Sequence, residues 1–129
     1  DNELNLEIAK MLLEDEKMVV TTAENGKEAV DIVSQSVPGS FDFIFMDAAK
    51  GQYIHFRREI LRLLKPEGIL VSDNVLQDGD IIESHFIVTR RNRTIYKRMR
   101  EYLYELTHSD ELVTSVLPIG DGITVSVKK

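Results

Sequence analysis

The segment FDFIFMD, residues 41–47, constrains the fold most, because apolar side chains occupy consecutive positions at its centre. A strand that is apolar on both sides is typical of a parallel sheet covered by helices on two faces. Segments with helical spacing of apolar residues alternate with β-rich segments, and they lie at residues 3–16, 26–36, 53–64 and about 94–106. This alternation predicts an α/β fold, a three-layer Rossmann-like sandwich formed by one domain.

Five strands are predicted for the sheet. In chain order they are VVTTA, FDFIFMD, GILVSDN, LVTSVLP and ITVSVKK. We expect the spatial order 1-2-3-5-4, mostly parallel, with the last strand antiparallel after a hairpin turn at IGDG. A doubly wound sheet usually opens with a strand, whereas this sequence opens with a helix. We therefore expect VVTTA either to pair directly with FDFIFMD or to leave a position that strand exchange fills in a homodimer.

Composition excludes several classes of protein. The net charge of −6 argues against general nucleic-acid binding, and the absence of cysteine excludes disulfides and thiolate metal sites. No apolar run approaches the roughly 20 residues of a membrane span. The first residues lack the basic and apolar regions of a signal peptide, so we expect a cytoplasmic protein without membrane contact.

Polar residues follow two strands that are predicted to be neighbours. Asp47 ends the second strand, and Asp73 and Asn74 end the third. The carboxyl ends of parallel strands form the ligand crevice of an open α/β sheet. Three oxygen ligands there suit Mg²⁺ or Ca²⁺, although each residue alone is more commonly a turn or capping residue. These positions therefore predict a divalent-metal site, with Lys50 close to it.

Three segments carry a family resemblance: FDFIFMDAAKGQY, LLKPEGILVSDNVL and LPIGDGITVSVKK. With them, residues 41–129 resemble the C-terminal half of bacterial metal-dependent O-methyltransferases of the catechol-methyltransferase-like group. The resemblance implies that Asp47, Asp73 and Asn74 hold a metal that binds both oxygens of a diol. It also implies that Lys50 is the general base and that the substrate is a small phenol or diol.

The same family binds S-adenosylmethionine on a glycine-rich loop after its first strand. Before residue 41 this chain has only Gly26 and Gly39, each in a turn context. Glu24 could match the acidic residue that binds the ribose in the family. Because the loop is absent, we expect methyl transfer to be impaired or lost.

A second resemblance involves the first third of the chain. DNELNLEIAKMLLED, VVTTAENGKEAVDIVSQS and FDFIFMD, within residues 1–47, resemble the receiver domain of bacterial response regulators. In a receiver, Asp47 would accept a phosphoryl group, with Ser72 near the position of an assisting hydroxyl. The sequence is thus interpreted as a chimera, natural or engineered, of a receiver-like part (1–40) and a methyltransferase-like part (41–129). Two alternatives follow, a recombined or designed scaffold without activity and a signalling module.

Basic residues cluster before and within the last predicted helix: Arg90, Arg91, Arg93, Lys97, Arg98 and Arg100. Such a cluster is usually a solvated helix face. A branch of the methyltransferase group modifies tRNA, and there a basic patch would contact phosphates, so tRNA is an alternative partner.

Overall fold

The computed structural model describes residues 2–23, 25–76 and 93–129. It divides the chain into two compact units, Asp1–Ser36 and Val37–Lys129. None of the helices in these described ranges is long and apolar enough to cross a membrane.

The first unit contains two helices, α1 (Asn2–Asp15) and α2 (Gly26–Gln35), close to their predicted bounds. Asn25 caps the N-terminus of α2, because its side-chain Oδ1 accepts a hydrogen bond of 3.0 Å from the backbone N–H of Glu28. The apolar face of α1 is solvent-exposed, and its exposed residues include Leu4, Ile8, Met11 and Leu12. In α2, Val30 is exposed, whereas Val33 is half-buried.

Residues 19–23, predicted as the first strand, have no regular secondary structure. All strands that the described residues contain belong to one four-stranded sheet, so the predicted fifth strand is not found. A β-branched run becomes a strand only where another strand satisfies its backbone groups, and composition does not reveal whether that partner exists.

The second unit contains the sheet and two further helices. In chain order its elements are β1 (Phe41–Met46), a 3₁₀ turn (Lys50–Gln52), α3 (Tyr53–Leu63), β2 (Leu64–Ser72), α4 (Arg93–Thr107), β3 (Leu112–Leu117) and β4 (Ile123–Lys128). The strand order is β1-β2-β4-β3, with β1 parallel to β2 and β4 antiparallel to both of its neighbours. The last four strands therefore have the predicted order and directions.

Helices α3 and α4 cover one face of this sheet. Their buried residues pack against Met46 of β1 and Leu70 of β2 in one core cluster. These helix residues are Tyr53, Ile60 and Leu61 of α3 and Tyr96, Met99, Tyr102 and Leu106 of α4. On the opposite face, Phe43 and Phe45 of β1 are each 55% exposed. Within residues 37–129 the structure thus shows two of the three predicted layers. Strand β1, which was expected to pair with residues 19–23 on its other edge, has only β2 as a strand neighbour among the described residues.

The turn between β3 and β4 forms as predicted and fixes the chain beyond β2. The backbone N–H groups of Val75 and Leu76 donate to the carbonyls of Gly122 and Asp121, at 2.9 and 2.8 Å. Gly122 has a φ of +84°, and a Cβ on it would lie 2.3 Å from Cγ of Leu76. Only glycine fits this close approach, which explains the second glycine of IGDG.

Candidate functional site

The register of β1 and β2 brings their polar ends together. Met46 pairs with Ser72, so Asp47 and Asp73 follow at the same edge of the sheet. The N–H of Asp73 donates to the carbonyl of Met46 at 3.0 Å, which continues the pairing for one more residue. Asp47 and Asp73 therefore leave the sheet side by side.

The side chain of Tyr53, the first residue of α3, connects the ends of these two strands by hydrogen bonds to their backbone. Its hydroxyl accepts a hydrogen bond from the N–H of Ala48 at 3.2 Å. The same hydroxyl lies 3.0 Å from the carbonyl oxygen of Asp73 and 3.4 Å from that of Met46, and it can donate its proton to either. The Tyr53 side chain is completely buried.

The electrostatic environment of Tyr53 reflects the same arrangement. Burial raises the pKa of the Tyr53 hydroxyl above its ordinary value, while the hydrogen bond from Ala48 lowers it. The nearby carboxylates of Asp47 and Asp73 raise this pKa further, because a phenolate beside them would be repelled. The hydroxyl consequently stays protonated and keeps a proton to donate.

Asp73, Asn74 and Lys50 are linked at this edge. The backbone N–H of Asn74 donates to Oδ1 of Asp73 at 2.7 Å. Asn74 has a φ of +57°, in the left-handed region that asparagine tolerates better than most residues. Nζ of Lys50 lies 3.5 Å from Oδ1 of Asn74. A cationic side chain and two oxygen-bearing side chains thus face one small region.

Asp47 lies at the exposed side of the same edge. Its carboxylate makes no hydrogen bond or ion pair with any described residue, so its oxygens are accessible to a ligand. Within the described part of the chain there is no group of three or more His, Cys, Asp or Glu side chains that could hold a metal ion. The predicted set has two carboxylates and one amide, so a metal here would depend on Asn74 and on oxygens from water or substrate.

Ser72, the residue before Asp73, points to the opposite side of the strand. Its Oγ lies 2.7 Å from the hydroxyl of Tyr102, and both side chains are fully buried. Burial raises the pKa of the Tyr102 hydroxyl to about 12, although the hydrogen bond with Ser72 lowers it. The receiver interpretation needs a hydroxyl beside Asp47 at the edge, and Ser72 instead faces the helices.

The basic cluster is only partly a free surface. Nη1 of Arg98 donates to the carbonyl of Gly51 at 3.1 Å and so anchors the loop after β1 to α4. Arg100 donates to the Tyr96 hydroxyl and lies over the Tyr96 ring. Arg93 and Lys97 are exposed. Arg90, Arg91 and the predicted ribose ligand Glu24 lie outside the described residues.

Sequence reasoning assigned no role at this edge to three side chains that support it: Tyr53, Tyr102 and Arg98, the last of which was predicted only as part of the basic cluster. A tyrosine in an apolar stripe is a usable signal, because its hydroxyl needs a polar partner when the ring is buried. The partners of Tyr53 are backbone groups 5 to 20 residues away, and their position follows only from the folded sheet.

Comparisons with known proteins give one consistent answer. The O-methyltransferase family model matches residues 2–129. The chain belongs to the O-methyltransferase family.

Individual relatives support this assignment. Caffeoyl-CoA O-methyltransferase 1 from Eucalyptus globulus is 31% identical over 98 residues, which cover 73% of this chain and 39% of the relative. The structure of a Staphylococcus aureus protein assigned to the caffeoyl-CoA O-methyltransferases is 30% identical, with a TM-score of 0.71, and the match covers 96% of this chain and 59% of that one. The SAH-bound methyltransferase PaMTH1 from Podospora anserina is 25% identical, with a TM-score of 0.62 and coverages of 86% and 48%.

Two consequences follow from these matches. The chain spans between 39% and 59% of the length of these three relatives. The family match does not begin at residue 41 but includes the segment interpreted as receiver-like. One family therefore accounts for both parts of the chain, so the receiver resemblance gains no support and a chimera is not confirmed.

Proposed function

We propose that this chain carries the metal-binding and proton-accepting part of an O-methyltransferase site that acts on a phenol or diol. The observation that supports this most directly is the convergence of Asp47, Lys50 and the Asp73–Asn74 pair at one edge of the sheet. The names of the curated relatives, caffeoyl-CoA O-methyltransferases, support a small phenolic substrate.

The donor set fits a hard divalent cation such as Mg²⁺ or Ca²⁺. The Asp47 carboxylate has no partner among the described residues, and Asp73 uses only Oδ1 to accept from Asn74. Oδ2 of Asp73 and Oδ1 of Asn74 complete a set of oxygen ligands, which these cations prefer. When bound, the cation would supply Lewis acidity that lowers the pKa of a substrate hydroxyl.

Lys50 is proposed as the general base. Its amine and the proposed oxygen ligands face the same region, with Asn74 3.5 Å away as an orienting acceptor. A substrate hydroxyl at this edge would lie within reach of Nζ and could pass its proton to Nζ once the Lys50 amine has released its own proton. Arg98 supports the base indirectly, because it holds the carbonyl of Gly51, the next residue along the chain.

S-adenosylmethionine is the proposed methyl donor, in line with the SAH bound to PaMTH1. The sequence before residue 41 has only two glycines and no glycine-rich loop. We therefore propose that residues 1–129 by themselves bind the cofactor weakly, with Glu24 as the candidate ribose ligand. Methyl transfer by these residues alone is then slow or absent, while metal binding persists.

Divalent-metal binding tests the proposal most cleanly. Titration calorimetry with Mg²⁺ and Mn²⁺ should show one site, and Asp47→Asn should weaken it by at least about tenfold because a charged ligand is lost. Asp42→Asn is the matched control, since Asp42 lies on β1, the strand that precedes Asp47, and pairs with Lys65 instead. Absence of binding at millimolar metal, or equal loss in both variants, would contradict the proposal. Transfer of a labelled methyl group to catechol tests the enzyme step separately.

Two proposed partners remain to be tested. The outer edge of β1 has no strand beside it among the described residues, which supports the homodimer with strand exchange. Analytical ultracentrifugation of the protein should then show a dimer that Phe43→Asp weakens. For tRNA, Arg93 and Lys97 are the two residues of the basic cluster that are exposed without a contact to another described residue, so we expect weak retention that is lost as salt rises.

A further inference from the structure

The Tyr53 hydroxyl makes contacts that no other described side chain at this edge makes. It accepts from the N–H of Ala48 and faces the carbonyl oxygens of Met46 and Asp73. Met46 and Ala48 are the residues on either side of Asp47. One buried hydroxyl thus contacts the chain before Asp47, the chain after it, and Asp73 itself.

The ring that carries this hydroxyl is held firmly. Tyr53 begins α3, and the Tyr102 ring packs edge-on against it with centroids 5.5 Å apart and planes at 82°. Tyr102 is in turn held by its 2.7 Å hydrogen bond with Ser72. Because close-packed side chains transmit displacement, the hydroxyl cannot move without disturbing the core.

We propose that Tyr53 is a positioning residue whose hydroxyl sets the separation between Asp47 and the Asp73–Asn74 pair, and through it the affinity for a divalent cation. This inference rests on the proposed metal site. The hydroxyl does not touch the cation or the substrate; it fixes the backbone from which the ligands extend. Loss of a residue that orients metal ligands typically lowers metal affinity by roughly 10- to 100-fold.

Tyr53→Phe tests the inference because it removes only the hydroxyl and keeps the ring. In the metal-free protein, we expect hydrogen exchange at the Ala48 amide to accelerate by about tenfold or more, because that amide loses its acceptor. In titrations with Mn²⁺, we expect affinity to fall about tenfold. Tyr104→Phe is the matched control, since Tyr104 is exposed, and both of its readouts should equal those of the unsubstituted protein.

The outcomes separate this inference from the proposed function. Unchanged Mn²⁺ affinity in Tyr53→Phe, with binding intact in the unsubstituted protein, overturns the positioning role and leaves the metal site standing. Absence of Mn²⁺ binding in the unsubstituted protein overturns the metal site and the affinity part of this inference. Exchange at Ala48 then still decides whether the hydroxyl holds the two strand ends.

A purely structural role would lower the unfolding midpoint without changing Mn²⁺ affinity at temperatures where the protein is folded. Both quantities are therefore measured on the same samples. If Tyr53→Phe does not fold, the hydroxyl proton of Tyr53 in the unsubstituted protein provides the test by NMR. We expect a slowly exchanging resonance with a nuclear Overhauser effect to the Ala48 amide, and a rapidly exchanging proton would overturn the inference.

Discussion

The two faces of the sheet differ in a way that hydrophobicity does not explain. The face covered by α3 and α4 includes three hydroxyl residues, Ser72, Thr124 and Ser126, all fully buried. The open face carries Phe43, Phe45, Ile69, Val113 and Val127, all at least 38% exposed. The more apolar face is therefore the more exposed one. Which face is buried therefore depends on where the helices pack. Most of the buried hydroxyl groups are accommodated by hydrogen bonds to neighbouring groups.

The covered face tolerates its hydroxyl groups because most of them are paired. Ser72 bonds with Tyr102, and Ser126 lies 2.8 Å from the Thr114 hydroxyl. Thr114 also donates to the carbonyl of Leu106 in α4. A satisfied buried hydroxyl contributes about 1 kcal/mol, whereas an unsatisfied one is costly. The covered face also provides the Tyr102 ring that supports Tyr53 and the strand ends.

The largest expected difference between the faces concerns adjacent residues of β2. Leu70, which points to the covered face, is 1% exposed, whereas Ile69 on the open face is 38% exposed. Leu70→Ala should lower the free energy of unfolding by about 3 kcal/mol, since it leaves a cavity. Ile69→Ala should cost about 1 kcal/mol, because water can replace the lost side chain. Urea unfolding measures both, and equal losses would mean that something covers the open face in solution.

Alkaline pH should sharpen the comparison through Tyr102. Its pKa is about 12 in the folded protein because the hydroxyl is buried, against about 10 in an unfolded chain. Between pH 10 and 12 the unfolded chain releases this proton while the folded protein retains it. Stability is therefore complete below pH 10 and falls as pH approaches 12, by roughly 2 kcal/mol from this group.

Urea unfolding between pH 9 and 12 measures this effect. Tyr102→Phe removes the titrating group, so its stability should fall less steeply than that of the unsubstituted protein. Tyr104→Phe, a substitution at an exposed tyrosine, should keep the original steepness. An identical pH dependence in all three proteins would mean that Tyr102 ionises as freely in the folded protein as in the unfolded chain.

Local signals in the sequence were sufficient for several elements. The four helices and the hairpin turn at IGDG follow from side chains within a few residues of each other. The strand predicted at 19–23 is wrong because a strand depends on a distant partner. The open face of β1 was also missed, since an apolar strand indicates the capacity for burial and not the presence of a covering helix.

The candidate site, like the fold, could be predicted from the sequence only in part. Asp47, Asp73 and Asn74 could be placed at one edge because parallel strands end together, and Lys50 came from the family resemblance. Tyr53 could not be assigned a role, because its three backbone partners are spread over Met46 to Asp73. The order of neighbouring strands indicates which side chains at their ends lie close together. The residues that fix the position of those strand ends, such as Tyr53, depend on tertiary packing and are not evident from the sequence.

A substitution at Thr124 should have a smaller effect on the free energy of unfolding, and it should raise this free energy rather than lower it. Its hydroxyl is buried on the covered face and makes no hydrogen bond with any described group. Thr124→Val keeps the shape and removes the unsatisfied hydroxyl, so we expect the free energy of unfolding to rise by about 1 kcal/mol. Thermal and urea unfolding test this, with Thr114→Val as the contrast, since Thr114 is paired and its loss should destabilise. Destabilisation by Thr124→Val would reveal a partner such as bound water.

The smallest effect is expected on the open face, at Val113 of β3. Val113 is 59% exposed and pairs with Val127 across the sheet. Threonine has nearly the same shape and a comparable preference for strands, so Val113→Thr should change the free energy of unfolding by less than about 0.5 kcal/mol. A loss above roughly 1 kcal/mol that grows with protein concentration would show that a second chain buries this face. Because the substitution replaces one methyl group with a hydroxyl of similar size, such a loss would measure the desolvation of that hydroxyl and not a change in packing within the sheet.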